Sequence, residues 1–178
     1  MSTNSTISIL NKDGTVDSVY CHWDGNISHN GAILYQHYDL QKTKKLIALG
    51  RLSSLRADVD IPDSVMHSFD NPISNICIFY CRDREEDLVI QHYESLEDFE
   101  NTYESQEYNY IFKELNQAWH LVEKGKLLPL RTALIKEDDI SDELKAQITQ
   151  EIQAKKAKKE SKLLLKIGKP VARSKPRI

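Results

Sequence analysis

The stretch Thr6-Ile7-Ser8-Ile9-Leu10-Asn11-Lys12-Asp13-Gly14-Thr15-Val16-Asp17-Ser18-Val19-Tyr20-Cys21-His22-Trp23 decides the fold. Two β-rich runs flank an Asp-Gly pair, which supplies the positive φ that a tight hairpin turn needs. In the second run the side chains alternate. Val19, Cys21 and Trp23 fall on one face, and Tyr20, His22 and Asp24 on the other.

Reading outward, Ser28 or Asn30 is placed to cap a helix beginning near Gly31, with Ile33, Leu34, His37 and Tyr38 at helical spacing. A second helix is expected from about Gln41 to Leu49, ending at Gly50, where a helix terminus favours glycine. Residues 51–73, interrupted by Pro62 and Pro72, read as irregular. The apolar run Ile76 to Cys81 predicts a central strand, with Leu88 to Tyr93 pairing back onto it. Ser95-Leu96-Glu97-Asp98 resembles a capping box with Asp98 in place of the usual Glu or Gln. The helix it opens is expected to bury Leu96, Phe99 and Tyr103. Tyr108 to Leu115 and Ala118 to Val122 form a further hairpin around Asn116-Gln117.

Ile140, Leu144, Ile148 and Ile152 recur every four residues and predict a last helix over about Ser141 to Lys159, acidic at its start and lysine-rich at its end. The fold class is therefore α+β: antiparallel hairpins forming a sheet packed by two to three helices, plus a C-terminal helix and a basic tail. The expected division is a domain over 1–135, a helix over 136–160 and a basic, disordered tail over 161–178.

Charge is unevenly distributed. Residues 155–178 hold ten basic side chains and one acid, Glu160, for a net +9, whereas residues 1–154 carry a net −12. The ten are Lys155, Lys156, Lys158, Lys159, Lys162, Lys166, Lys169, Arg173, Lys175 and Arg177. Such a tail suits phosphate contacts with nucleic acid, salt-sensitive and sequence-independent, because it has no aromatic to stack on bases. Leu163-Leu164-Leu165 and Ile167 point instead to a protein partner.

Cys21, Cys77 and Cys81 are an odd number at scattered spacing, a poor disulfide framework, so reduced thiols and a cytoplasmic location are expected. No apolar run has membrane-spanning length, and the start lacks the basic and apolar regions of a secretory signal.

Tyr20-Cys21-His22-Trp23-Asp24-Gly25, followed by Asn30-Gly31, gathers aromatic, imidazole and carboxylate groups at a strand end just before a helix start. Read as a site, Tyr20, His22, Trp23, Asp24 and Asn30 are candidate ligand-binding residues for a nucleotide or other small anion. Read as structure, Trp23 joins Val19 and Cys21 in the core, and Asp24-Gly25 simply ends the strand. No phosphate-binding loop, metalloprotease helix or nucleophile elbow is present in the sequence, and no metal-ligand spacing recurs. No catalytic residue, metal or cofactor is expected.

The opening Met1-Ser2-Thr3-Asn4-Ser5-Thr6-Ile7, the Asp13-Gly14-Thr15 turn and the Tyr20-Cys21-His22-Trp23-Asp24-Gly25 segment resemble a family of small tailed-phage proteins of unassigned function. The similarity spans roughly residues 1–55, including Ile47-Ala48-Leu49-Gly50. The family pattern continues with Tyr-Pro after the glycine, whereas this chain has Asn26-Ile27. The resemblance implies a phage origin, hence a host-cell cytoplasm, and no mechanism. With the charge split, it leads to the expectation of a non-enzymatic interaction protein that binds and modulates a host factor, as in counter-defence. Ligand sequestration and nucleic-acid binding through the tail are the alternatives.

Overall fold

A computed structural model describes residues 2–102, 106–123 and 125–167. The chain forms two compact units, residues 1–140 and 141–178. The first is an α+β domain built on one eight-stranded sheet.

Strands β1 (Ser5–Leu10) and β2 (Val16–Cys21) form the expected hairpin, with Ile7 opposite Val19 and Ser8 opposite Ser18. Gly14 takes the turn at φ 97°. A π-type turn, Ile27–Gly31, leads into helix α1 (Ala32–His37), and α2 (Leu40–Ala48) follows. Neither Ser28 nor Asn30 caps α1; its approach is set by that π-type turn. Asp39 caps α2 by accepting the Lys42 N–H at 2.9 Å. Gly50 follows the end of α2 at φ 76°, as its place in the sequence predicts.

Strand β3 (Leu52–Ser54) lies inside the segment expected to be irregular, and β4 is only Ile78–Phe79. The predicted central strand over Ile76 to Cys81 is thus a two-residue edge strand. Polar side chains stop it. The Phe79 N–H donates to Asp83 Oδ2 at 2.7 Å, and Tyr80 opens helix α3 (Tyr80–Arg84). Strand β5 (Gln91–Tyr93) pairs with β2 rather than with β4.

Helix α4 (Leu96–Thr102) starts as its sequence predicts. Ser95 Oγ accepts the Asp98 N–H at 3.0 Å, and Asp98 Oδ2 accepts the Glu94 N–H at 3.2 Å. Phe99 is fully buried, whereas Tyr103 lies outside the described residues. Strands β6 (Tyr108–Lys113) and β7 (Ala118–Glu123) form the second expected hairpin, extended by β8 (Lys126–Pro129). Helix α5 (Leu130–Leu134) closes the unit.

The sheet is mixed, not purely antiparallel. Its order is β4-β3-β2-β1-β6-β7-β8, with β5 beside β2, and both β1–β6 and β2–β3 are parallel. Each hairpin is fixed by its own turn, but the way two hairpins dock is fixed only by distant contacts. The register sorts side chains onto two faces. Ile7, Ile9, Val19, Cys21, Tyr110, Phe112, Trp119 and Leu121 share one face, all buried. Trp119 lies edge-on to Phe112, and its Nε1–H donates to the Tyr38 carbonyl at 2.9 Å. On the other face, Phe99 of α4 covers one end with Val16, Tyr93, Ile111 and Val122. The remainder of that face carries Thr6, Ser8, Ser18, Tyr20 and Asn109.

In the second unit, helix α6 (Asp142–Ile167) begins at Ser141, whose Oγ accepts the Leu144 N–H at 3.2 Å. It runs past the expected end at Lys159, so residues 161–167 are helical rather than tail. Leu163-Leu164-Leu165 and Lys166 are good helix formers and prolong it. Lys169, Arg173, Lys175 and Arg177 lie outside the described residues.

Candidate functional site

Strand β2 ends at Cys21, and the alternation that places Trp23 in the core ends with it. The His22 and Trp23 N–H groups still bond to Leu52 and Ser53 carbonyls, but Asp24 turns the chain at φ 57°. Trp23 is consequently 44% exposed, which corrects its assignment to the core. It stands edge-on to the His22 ring, centroids 4.7 Å apart, and Tyr20 Oη meets His22 Nδ1 at 2.8 Å. Tyr20, His22 and Trp23 thus make a continuous polar-aromatic string.

Asn30 does a different job. Its side chain is fully buried, and its Nδ2 donates to the Trp23 carbonyl at 3.1 Å and to Ser5 Oγ at 3.3 Å. It braces the turn from inside. Gly25 has a steric reason: a Cβ there would lie 2.7 Å from the backbone of Asn4. Asp24 approaches Arg56 only loosely, Oδ2 to Nη1 3.8 Å. The five sequence candidates therefore do not share one pocket.

One of them, Tyr20, lines a cleft of about 290 Å³ on that polar sheet face. Thr6, Ser18, Arg51, Gln91 and Gln106 line it too. Its floor is ordered by hydroxyl bonds, Thr6 Oγ1 donating to Asn109 Oδ1 at 2.9 Å and Ser8 Oγ to Ser18 Oγ at 2.8 Å. Asn109 also holds the Gln106 backbone, accepting its N–H and donating to its carbonyl.

Gly50 shapes one wall. A Cβ there would meet Leu88 Cδ1 at 2.7 Å and the Val89 carbonyl at 3.0 Å, so only glycine lets the 88–91 segment approach Arg51. Arg51 is the cation of the cleft. Its Nε is buried without a hydrogen-bond partner among the described residues, and Glu86 is 3.8 Å from Nη2, beyond hydrogen-bond reach. Burial, with Tyr80 and Cys21 nearby, raises the Tyr20 phenol above its ordinary value and keeps it neutral. Among the described residues that line it, the cleft thus offers guanidinium N–H groups, hydroxyls and amides and no carboxylate, a set suited to a small oxyanion.

Two of the three thiols, Cys21 and Cys77, are buried. Burial pushes the Cys21 thiol up to about 12, and raises Cys77 as well. Among the described residues, no group of three or more His, Cys, Asp or Glu side chains could hold a metal ion, and no helix is long and apolar enough to cross a membrane.

A second polar cluster escapes the sequence reading. Asp83, 1% exposed in its side chain, receives Arg82 Nε at 2.6 Å and Arg82 Nη2 at 2.8 Å. Arg82 also donates to the Cys77 and Val59 carbonyls, both at 2.6 Å. His67 Nε2 lies 3.4 Å from Asp83 Oδ2, while its Nδ1 accepts the Ile73 N–H at 3.1 Å. This cluster ties the 55–83 loop to the sheet edge.

Thr6, Ser8, Ser18 and Tyr20 alternate on one strand face, a signal for the polar floor; Arg51 and Gln106 give none, being brought there from distant segments. On α6, Lys155, Lys156, Lys158 and Lys159 are exposed, and the helix continues through positions 162 and 166. Compared with protein-family models, curated proteins and solved structures, the chain matches none.

Proposed function

We propose that this chain is a non-enzymatic, phage-type interaction protein that captures a small anionic ligand of the host cell in the cleft between Tyr20 and Arg51. The observation that carries this reading is the Arg51 guanidinium, whose buried Nε has no partner among the described residues, beside a hydroxyl-lined floor. An oxyanion would supply the missing acceptor, and Tyr20 and Gln91 would bond the rest of the ligand. Sequestration needs no chemistry and fits a host-modulating role.

Titration calorimetry against a panel of nucleotides and phosphorylated or carboxylated metabolites tests it. At least one anion should bind, and Arg51→Gln should weaken it roughly 10- to 100-fold, the size of a charge-assisted hydrogen bond. Asp24→Ala should leave binding unchanged. A flat response across the panel would sink the reading.

A host protein as the captured factor is the second reading, favoured by Trp23, a large aromatic 44% exposed beside His22. In that case Trp23→Ala abolishes capture of the partner and Arg51→Gln does not.

A further inference from the structure

We propose that the second half of α6 is a nucleic-acid contact surface that reads the phosphate backbone through one stripe of lysines. This proposal stands or falls independently of the cleft.

An α-helix turns about 100° per residue. Positions 155, 159, 162 and 166 are spaced four, three and four apart, so they share one helix face within about 60°. All four are lysine. At a rise of 1.5 Å per residue the row extends about 16 Å. Lys155 and Lys159 are exposed, as is Lys158 at the edge of the row. Glu151 lies one turn earlier on the same face and accepts from Gln147 Nε2 at 3.2 Å, which marks where the basic row begins. Glu160, the one acid of the basic half, lies well round the helix from the row.

The row is built for phosphate rather than for a protein groove. A helix that docks in a groove carries apolar anchors at successive turns. Here positions 154, 157 and 161 are Ala, Ala and Ser, and the apolar run is confined to 163–167. Lysine, a flexible point charge, suits a regularly charged strand better than one carboxylate geometry. With no aromatic over 153–167 there is nothing to stack on bases, so the contact is sequence-independent.

Fluorescence anisotropy of the full chain with a labelled random-sequence 20-nucleotide DNA, single-stranded and duplex, tests the proposal. Four neutralised phosphates give a log–log salt slope of about −2.8 on single strands and about −3.6 on duplex, so affinity should fall roughly 50- to 150-fold between 50 and 200 mM NaCl. The double variant K155Q/K159Q should weaken binding at least about 5-fold more than K156Q/K158Q, which removes the same charge but only the edge of the row. Equal losses in the two variants would overturn the stripe. Absence of binding by the unaltered chain at 50 mM NaCl would overturn the proposal outright. So would displacement by poly-glutamate as effective as by unlabelled DNA at equal charge, because the surface would then be a docking face for acidic protein.

Discussion

Arg82 and Arg51 flank the same edge strands, and one is committed to the fold while the other is not. Arg82 sends every arm of its guanidinium to a partner: both Asp83 oxygens and the Cys77 and Val59 carbonyls, with the Phe79 ring 5.0 Å beneath. Arg51 has Glu86 at 3.8 Å, the Tyr80 ring at 5.9 Å and a buried Nε with no acceptor among the described residues. A cation whose donors are all satisfied holds a loop in place. One that keeps a buried donor open is tolerated because something else can fill it. The contrast teaches where to look for a site: at unmet hydrogen-bonding capacity rather than at charge.

The largest expected effect breaks the Arg82 side. Asp83→Ala strands a guanidinium against two carbonyls and the Phe79 ring, and should lower unfolding stability by about 3–5 kcal/mol. Arg51→Ala should cost under about 1 kcal/mol, since its ion pair is long and 39% exposed. Urea unfolding of the two variants measures both. Equal costs would erase the distinction between the two arginines.

Asn30 sharpens the comparison with a neutral group. It lies in the segment that the sequence marks as a site, yet its amide is bonded to Trp23 and Ser5 in the manner of Arg82. Asn30→Ala should therefore cost about 1–3 kcal/mol in the same unfolding experiment, by leaving the Trp23 carbonyl unpaired. It should leave the affinity of the Tyr20–Arg51 cleft nearly unchanged.

The smallest effect concerns a buried base with no charged partner. Burial holds the His120 imidazole below its ordinary 6.5, with its Nδ1 at 3.1 Å from the Ala118 carbonyl. Below pH 6.5 the unfolded chain takes up a proton that the folded chain refuses, so stability falls as pH drops, until the folded group titrates too. His92 acts on the other side of that value. Its bond to Asp17 raises its pKa, so its contribution is present at low pH and is lost as pH rises above 6.5. His120→Gln should flatten the stability profile just below pH 6.5 and leave the profile above it intact. An unchanged acid slope would remove His120 as its source.

Local chemistry was legible where the residues that decide it are neighbours. The Asp13-Gly14 turn, Gly50 after α2 and the Ser95–Asp98 cap all stand as their sequence predicts, because each involves a few consecutive residues. Strand alternation places Trp23 in the core only if it continues two residues past Cys21, where Asp24 turns the chain at positive φ instead. The Ile76–Cys81 run reads as a longer strand than it forms because Asp83 and Arg82, which halt it, read as an ordinary charged turn. The sequence marks Tyr20 but not the cleft it lines. Arg51, Gln91 and Gln106 reach it only after β3, β5 and β6 have been brought alongside β2 and β1, and no spacing in the chain announces that.

The parallel pairing of β1 with β6 has a consequence for synthesis. Thr6 bonds to a residue 103 positions later, so the amino-terminal hairpin leaves the ribosome long before its second neighbour exists. Through that interval one flank of β1, a strand of Ser5-Thr6-Ile7-Ser8-Ile9-Leu10, presents unpaired amide and carbonyl groups. The nascent chain must keep this flank from templating another strand until Tyr108–Lys113 arrives, and the closing of the sheet becomes a late, long-range event in its folding.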